Sequence, residues 1–147
     1  AAEAVKLFEA VSTQKGVAVV SLPPKRPIPF EEIPGDLQRL FSNLLDNAIR
    51  YTPPGGKVEI ETGYDDRQIT ITLKDNGIGI EPEYREKIFE EFFRTPRAKK
   101  CLAEGTGLGL AIVMGIVNRY HGSIHLESEP GKGSAFLITF PKRNHKL

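Results

Sequence analysis

Cysteine is almost absent from this chain of 147 residues, with Cys101 its only thiol. One thiol excludes a disulfide framework or a cysteine metal cage within one chain, and it fits a reducing compartment. An excess of one charge sign is also missing. The formal net charge is +1, which gives no case for nucleic acid or a membrane surface as a general partner. No apolar run approaches the length of a membrane span, and no secretory signal is visible. Internal repeats and low-complexity tracts are absent too. What remains is ordinary globular material, 39% apolar and 27% charged, of a length that suits one domain over residues 1–147. The chain opens "AAEAVKLFEAV" without methionine, so it is expected to be a piece of a longer protein.

Ala4, Val5, Phe8 and Val11 recur at helical spacing, and Gly16 ends that first helix. "VAVVSL" reads as a strand. Five prolines from Pro23 to Pro34 then rule out regular structure. Asp36 is a candidate N-cap for a helix over 36–50. Leu37, Leu40, Phe41, Leu44, Leu45, Ala48 and Ile49 form its broad apolar face. At about 100° per residue, Asn43, Asn47 and Arg50 cluster on the edge of that face. "TPPGG" stops the helix. "KVEIETG" and "RQITITLK" alternate with period two and read as a hairpin through "YDD". Pro82 suits the first turn of a helix ending in "IFEEFFR". Thr95 to Glu104 shows little periodicity. A helix is expected from about Gly107 to Tyr120, and "SIHLES" and "SAFLITF" close the chain as a hairpin around "EPGKG". The order of elements suggests a mixed sheet covered by helices on one face, an α+β fold.

Three segments carry candidate chemistry. In "DNGIGI", Asp75 follows a strand and precedes Gly77 and Gly79. Such glycines let a flat ring approach the backbone. A buried carboxylate only accepts hydrogen bonds, so it would take the exocyclic amine of adenine and reject the carbonyl of guanine. The same tripeptide also fits a plain Asp-Asn-Gly turn. "GTGLGLAIV" is a glycine-rich turn entering a helix, which favours phosphate through exposed N–H groups and the helix dipole. It is not a Walker loop, and no strand directly precedes it as a dinucleotide fold would require. Close helix packing through small residues is the alternative. The oxygens of Asn43 and Asn47 can ligate Mg²⁺, which takes few protein ligands beside phosphates and water, although such a pair can also simply cap or bridge. The cations Arg94, Arg97, Lys99 and Lys100 fit either a solvated loop or a mobile phosphate-facing lid. Phe89, Phe92 and Phe93 read as core or lid anchors. His121, His125 and His145 lack metal spacing and read as structural.

These segments in this order resemble the ATP-binding catalytic domain of sensor histidine kinases, within the wider superfamily of Bergerat-fold ATPases (GHKL), over almost the whole chain. "NLLDNAIRYT" is similar to the family's N box, "DNGIGI" and "GTGLGLAIV" to its two glycine boxes, and "IFEEFFR" to its F box. The resemblance implies a two-layer α/β sandwich of about five strands and three helices, with ATP between the N-box helix and a lid. Asn47 would then ligate Mg²⁺, Asn43 would sit near the γ-phosphate, and Arg50 would replace the usual lysine on phosphate. Asn43 and Arg50 are thus the candidate catalytic pair. Tyr51 would pack near adenine and Asp75 would hold its amine. Gly77, Gly79 and Ile80 would line the base pocket, with Thr106 helping at Asp75 or adenine. Gly105, Gly107, Leu108, Gly109 and Leu110 would wrap the phosphates.

One departure from the family matters. No H-E-L/F-R-T-P acceptor block occurs, so the phospho-acceptor histidine and its dimerising hairpin are expected elsewhere in the parent protein. The implied partners are that histidine-containing dimerisation domain and a response regulator, with no nucleic acid. This piece is expected to be monomeric and its parent dimeric, placed in the cytoplasm or as the cytoplasmic part of a membrane-bound sensor. Competing readings are a gyrase-like ATPase, an anti-sigma-type serine kinase and a nucleotide-binding regulator without turnover. Gyrase-like relatives carry a glutamate where Asn43 stands, and asparagine is a poor base for activating water.

Overall fold

The computed structural model describes residues 2–25, 34–102 and 105–142. Most of the proline run, the last two residues expected in the lid and His145 lie outside the described residues. Among the described residues there are four α-helices and five strands: α1 (Ala2–Lys15), β1 (Ala18–Leu22), α2 (Asp36–Arg50), β2 (Lys57–Tyr64), β3 (Gln68–Asp75), α3 (Pro96–Cys101), α4 (Gly109–Arg119), β4 (Ser123–Glu129) and β5 (Gly133–Pro141). The strands form one sheet in the order β1-β2-β3-β5-β4. β1 runs parallel to β2 and the remaining pairs are antiparallel, so the sheet is mixed as expected.

Period-two alternation sorts the strand residues. Val58, Ile60, Ile71, Leu73, Phe136, Ile138 and Phe140 point to the covered face and are buried. The register sets Ile60 opposite Leu73 and Leu73 opposite Phe136, which continues one apolar layer across three strands. α2 supplies Leu40, Leu44, Leu45 and Ala48 to that layer, and α4 supplies Val113, Ile116 and Val117. α1 adds Ala4 with Val5 and Phe8. The covering face of α1 is rotated from expectation, because Val11 is exposed while Ser12 is buried and donates to the Glu9 carbonyl.

Asp36 is not the cap of α2. Gly35 holds that position with φ 90°, and Asp36 is the first helical residue, buried. Its Oδ2 accepts from Arg119 (2.7 Å) and from the Tyr120 hydroxyl (2.6 Å) at the end of α4. The carboxylate therefore ties the two covering helices together, and those partners hold its pKa below the usual value.

The helix expected after Pro82 is two single-turn 3-10 helices, Pro82–Tyr84 and Lys87–Phe89. Extended backbone at Glu90 and φ 65° at Phe92 break the continuous ladder. The turns bury Ile88 and set Phe89 edge-on to Phe136. The Phe92 ring is exposed, and its contact with the lid is through the backbone, its N–H donating to the Gly107 carbonyl (3.0 Å). Conversely, the segment after Thr95 holds a helix. Thr95 caps α3 by accepting from the Ala98 N–H (3.0 Å), and Pro96 occupies its first turn. α4 starts two residues later than expected. It ends at Tyr120 with His121 in the left-handed region (φ 54°), while the Gly122 N–H donates to the Val117 carbonyl. His121 thus shapes a helix end, and His125 is exposed on β4.

Candidate functional site

β3 and β5 run side by side, and their register places Asp75 opposite Ser134 at one end of the sheet. A cavity of about 630 Å³ opens there, between α2 and the segment that carries α3. Asp75 forms part of its floor with Ser134 and Phe136. Its Oδ1 accepts from the Gly77 N–H (2.9 Å), and the backbone of Ser134 donates to the same carboxylate. These bonds do not offset the loss of water, and burial pushes the Asp75 carboxyl up to about 6. A carboxylate lifted this far in a concave site is a candidate for recognising a donor.

The loop after Asp75 is fixed by backbone contacts on two sides. The Ile78 N–H donates to the Tyr51 carbonyl (3.0 Å), and the Gly131 N–H donates to the Ile78 carbonyl (2.8 Å). Gly79 has φ 74°, and a Cβ there would lie 2.1 Å from the Glu129 carbonyl oxygen, so only glycine fits. The Ile80 N–H donates to Ser128 Oγ, which also meets Ser134 Oγ at 2.8 Å. The floor is thus built from the sheet outward.

α2 forms one wall with Asn43, Asp46, Asn47, Arg50 and Tyr51. Asn43 donates its amide to the Arg39 carbonyl (2.8 Å), one turn back. Arg50 pairs with Asp46 (3.0 Å), both about half exposed. The opposite wall combines Arg94, Thr95 and Ala98 with the turn from Gly105 to Leu110. One Arg94 nitrogen donates to the Tyr51 hydroxyl (2.9 Å) and to the Leu102 carbonyl, so its guanidinium spans the two walls. Arg97 on α3 pairs with Glu81 (3.0 Å) at the end of the floor loop. In the turn, Gly107 has φ 70° and would clash with the backbone of Phe92 if it carried a Cβ.

The sequence from 32 to 144 matches the family described as histidine kinase-, DNA gyrase B- and HSP90-like ATPases. The chain belongs to this family. A sensor histidine kinase of Synechocystis, RppB, is 48% identical over 105 residues, which is 71% of this chain and 23% of that protein. The sensor protein SrrB of Staphylococcus aureus is 39% identical over 106 residues, 72% of this chain and 18% of its own length. The chain therefore spans about a fifth of the curated relatives it matches. Among solved structures, the mycobacterial sensor histidine kinase MprB superposes with a TM-score of 0.77 at 29% identity, covering 97% of this chain and 94% of that one. The catalytic domain of the histidine kinase ThkA, in a nucleotide-free form, superposes at 0.79 with 27% identity, covering 95% and 88%. The fold is that of a histidine kinase catalytic domain.

The ATPase-family cavity gathers nearly all the residues the sequence singled out. Asn43, Asn47, Arg50, Tyr51, Asp75, Gly79 and Ile80 line it, as do Gly105, Thr106, Gly107, Leu108, Gly109 and Leu110. Gly77 stands behind the wall, where a Cβ would lie 2.4 Å from the Tyr51 carbonyl oxygen, so this glycine admits the chain's own backbone rather than a ring. Thr106 is exposed, and its hydroxyl accepts from the Leu108 N–H (3.2 Å), which is a local turn contact rather than a bond to Asp75. Besides the Gly77 N–H, the residue that meets Asp75 is Ser134, which sequence reasoning missed. Its only signal was position, one strand over in the closing hairpin.

The cavity has the size and lining that suit a nucleotide. Asp75 offers an acceptor at its base, Asn43, Asp46 and Asn47 offer oxygens along one helix edge, and Arg50 and Arg94 offer positive charge. Among the described residues no group of three or more His, Cys, Asp or Glu converges. One or two oxygens from α2 fit Mg²⁺ that shares its shell with phosphates and water. No helix among the described residues is long and apolar enough to cross a membrane.

Proposed function

We propose that this chain is the ATP-binding catalytic domain of a sensor histidine kinase. It holds Mg-ATP in the cavity and presents the γ-phosphoryl group to a histidine on a separate dimerisation domain, in two-component signalling with a response regulator. The observation that carries the nucleotide reading is Asp75, a carboxylate with a raised pKa facing a cavity walled by α2 and a glycine turn. The names of the relatives and structural neighbours support the kinase reading.

In this reading Asp75 accepts the adenine amine and fixes the base against the floor, while Tyr51 borders it. Asn47 holds Mg²⁺, which neutralises charge on the phosphate oxygens when bound. Asn43 and the turn before α4 orient the terminal phosphate toward the mouth, and Arg50 or Arg94 turns from its present partner to meet phosphate. An imidazole nitrogen of the acceptor then forms the P–N bond as the bond from γ-phosphorus to the bridging oxygen breaks, and ADP leaves. Phosphoryl transfer relies mainly on positioning and charge neutralisation, so donor and acceptor can belong to separate domains. Asn43 disfavours the gyrase-like reading, since no carboxylate stands there to activate water.

The test is transfer in trans. Incubated with γ-labelled ATP, the chain alone is expected to gain no acid-labile phosphate, and added acceptor hairpin is expected to become labelled. Rapid ATP hydrolysis without acceptor, or acid-labile label on the isolated chain, would overturn the assignment.

A further inference from the structure

The last four carbonyls of a helix have no partners within it, and their negative end of the dipole usually faces water. At the end of α2 they are all satisfied. The Asn47 carbonyl takes the Tyr51 N–H (3.2 Å), and the Ala48 carbonyl takes the Thr52 hydroxyl (2.7 Å). The Ile49 carbonyl takes the Thr52 N–H (3.4 Å), and the Ile49 and Arg50 carbonyls both converge on one side chain. Lys15, the last residue of α1, donates Nζ to the Ile49 carbonyl (2.8 Å) and the Arg50 carbonyl (2.5 Å). The next residue joins the clamp, because the Gly16 carbonyl accepts from the Gly55 N–H (2.8 Å) on the far side of the same loop.

Tyr51 sits directly after those carbonyls. Its ring and the Arg50 side chain line the cavity, its hydroxyl takes Arg94, and its carbonyl takes the Ile78 N–H of the floor loop. Lys15 itself stands outside the cavity lining. We propose that Lys15 is a positioning residue for nucleotide binding: it closes the end of α2 and so sets Arg50, Tyr51 and, through the Tyr51 carbonyl, the loop that follows Asp75. The side chain thereby couples α1 to the site, and rotation of α1 would loosen the α2 wall. This inference rests on the nucleotide reading above.

The experiment uses the whole chain with Lys15→Met and Lys15→Arg. Calorimetry with ADP is paired with amide hydrogen exchange at Thr52 and Ile78, at a temperature where all three proteins are folded. Lys15→Met is expected to weaken ADP binding about fivefold and to speed exchange at both amides, because two charged hydrogen bonds at a helix end are lost. Lys15→Arg keeps the charge and donors and is expected to restore both to within about twofold of the parent. A structural role alone would lower thermal stability in Lys15→Met and leave ADP affinity unchanged, and that result overturns the proposal. Failure of Lys15→Arg to recover either readout overturns it as well. If the parent chain itself does not bind ADP, the nucleotide reading fails instead, and the exchange at Thr52 and Ile78 still decides whether Lys15 holds the end of α2.

Discussion

The two sides of the cavity are held by different kinds of interaction. The floor and the α2 wall are tied to the core: Leu44, Leu45 and Ala48 on α2 are buried, Phe136 underlies Asp75, and backbone bonds pin the loop from Gly77 to Ile80. The lid side rests on one buried cap at Thr95, the buried Ala98, the Phe92 N–H bond to the Gly107 carbonyl, the Arg94 bonds to Tyr51 and Leu102, and the surface pair Arg97–Glu81. Exposed pairs contribute about 0–1 kcal/mol each, whereas burial of one large apolar side chain contributes about 2–3 kcal/mol. Local opening is therefore expected on the lid side while the floor stays in place. Under the proposed function the labour is divided: the rigid side would read the base and the metal, and the weakly held side would admit and release ligand.

Breaking the floor should have the largest effect. Asp75→Asn is expected to reduce ADP affinity by about a hundredfold, since an amide can present a donor where the adenine amine needs an acceptor. The same variant is expected to make the empty chain more stable near neutral pH. The folded pKa of Asp75 lies above its ordinary value of 3.8, so the contribution of this group to stability is present below about pH 4 and is lost as pH rises through about 6. At neutral pH the buried carboxylate costs on the order of 2–3 kcal/mol, and the amide avoids that cost. Thermal melts at pH 5 and pH 8 should therefore converge for Asp75→Asn relative to the parent.

Asn47→Ala tests the α2 wall. Binding of Mg-ATP is expected to weaken about tenfold while binding in EDTA changes little, because one metal ligand is lost and the base site is kept. Equal losses with and without Mg²⁺ would remove Asn47 from the metal shell. The smallest effect belongs to the lid. Glu81→Gln is expected to leave ADP affinity within about threefold and to raise its dissociation rate by a similar factor, since only an exposed pair is lost. Hydrogen exchange over 95–102 should be fast in the empty chain and slow with an ATP analogue. Equal protection in both states would make the lid a fixed wall and erase the contrast.

The sequence was most legible where one face repeats. The apolar stripe of α2 and the alternation of β2, β3 and β5 need only local spacing, and they placed the asparagines on the edge of the apolar face and Asp75 at the end of a strand. Legibility failed where a residue's role depends on a partner far along the chain. Asp36 reads locally as a cap, but Arg119 and Tyr120 arrive from α4 and make it a helix tie. Ser134 meets Asp75 only through strand pairing. α3 did leave a local signal in Thr95 and Pro96, a cap followed by proline in the first turn, which its short length masked. The segment after Pro82 misled because a proline suited to a first turn opens only a single 3-10 turn here, while the positive φ at Phe92 goes with the close approach of Gly107 from later in the chain.

Under the proposed function Asp75 reads adenine as a carboxylate. Calorimetric titration of the parent chain with ADP and GDP at about pH 5 and pH 7.5 tests it most directly. With the Asp75 carboxyl raised to about 6, the ionised acceptor falls to about one tenth at pH 5. Expected are ADP binding at pH 7.5, a loss of about tenfold in ADP affinity at pH 5, and no measurable GDP binding at pH 7.5, where the carboxylate only accepts. Equal affinity for ADP and GDP at pH 7.5, or ADP affinity that does not change between the two pH values, would contradict that reading.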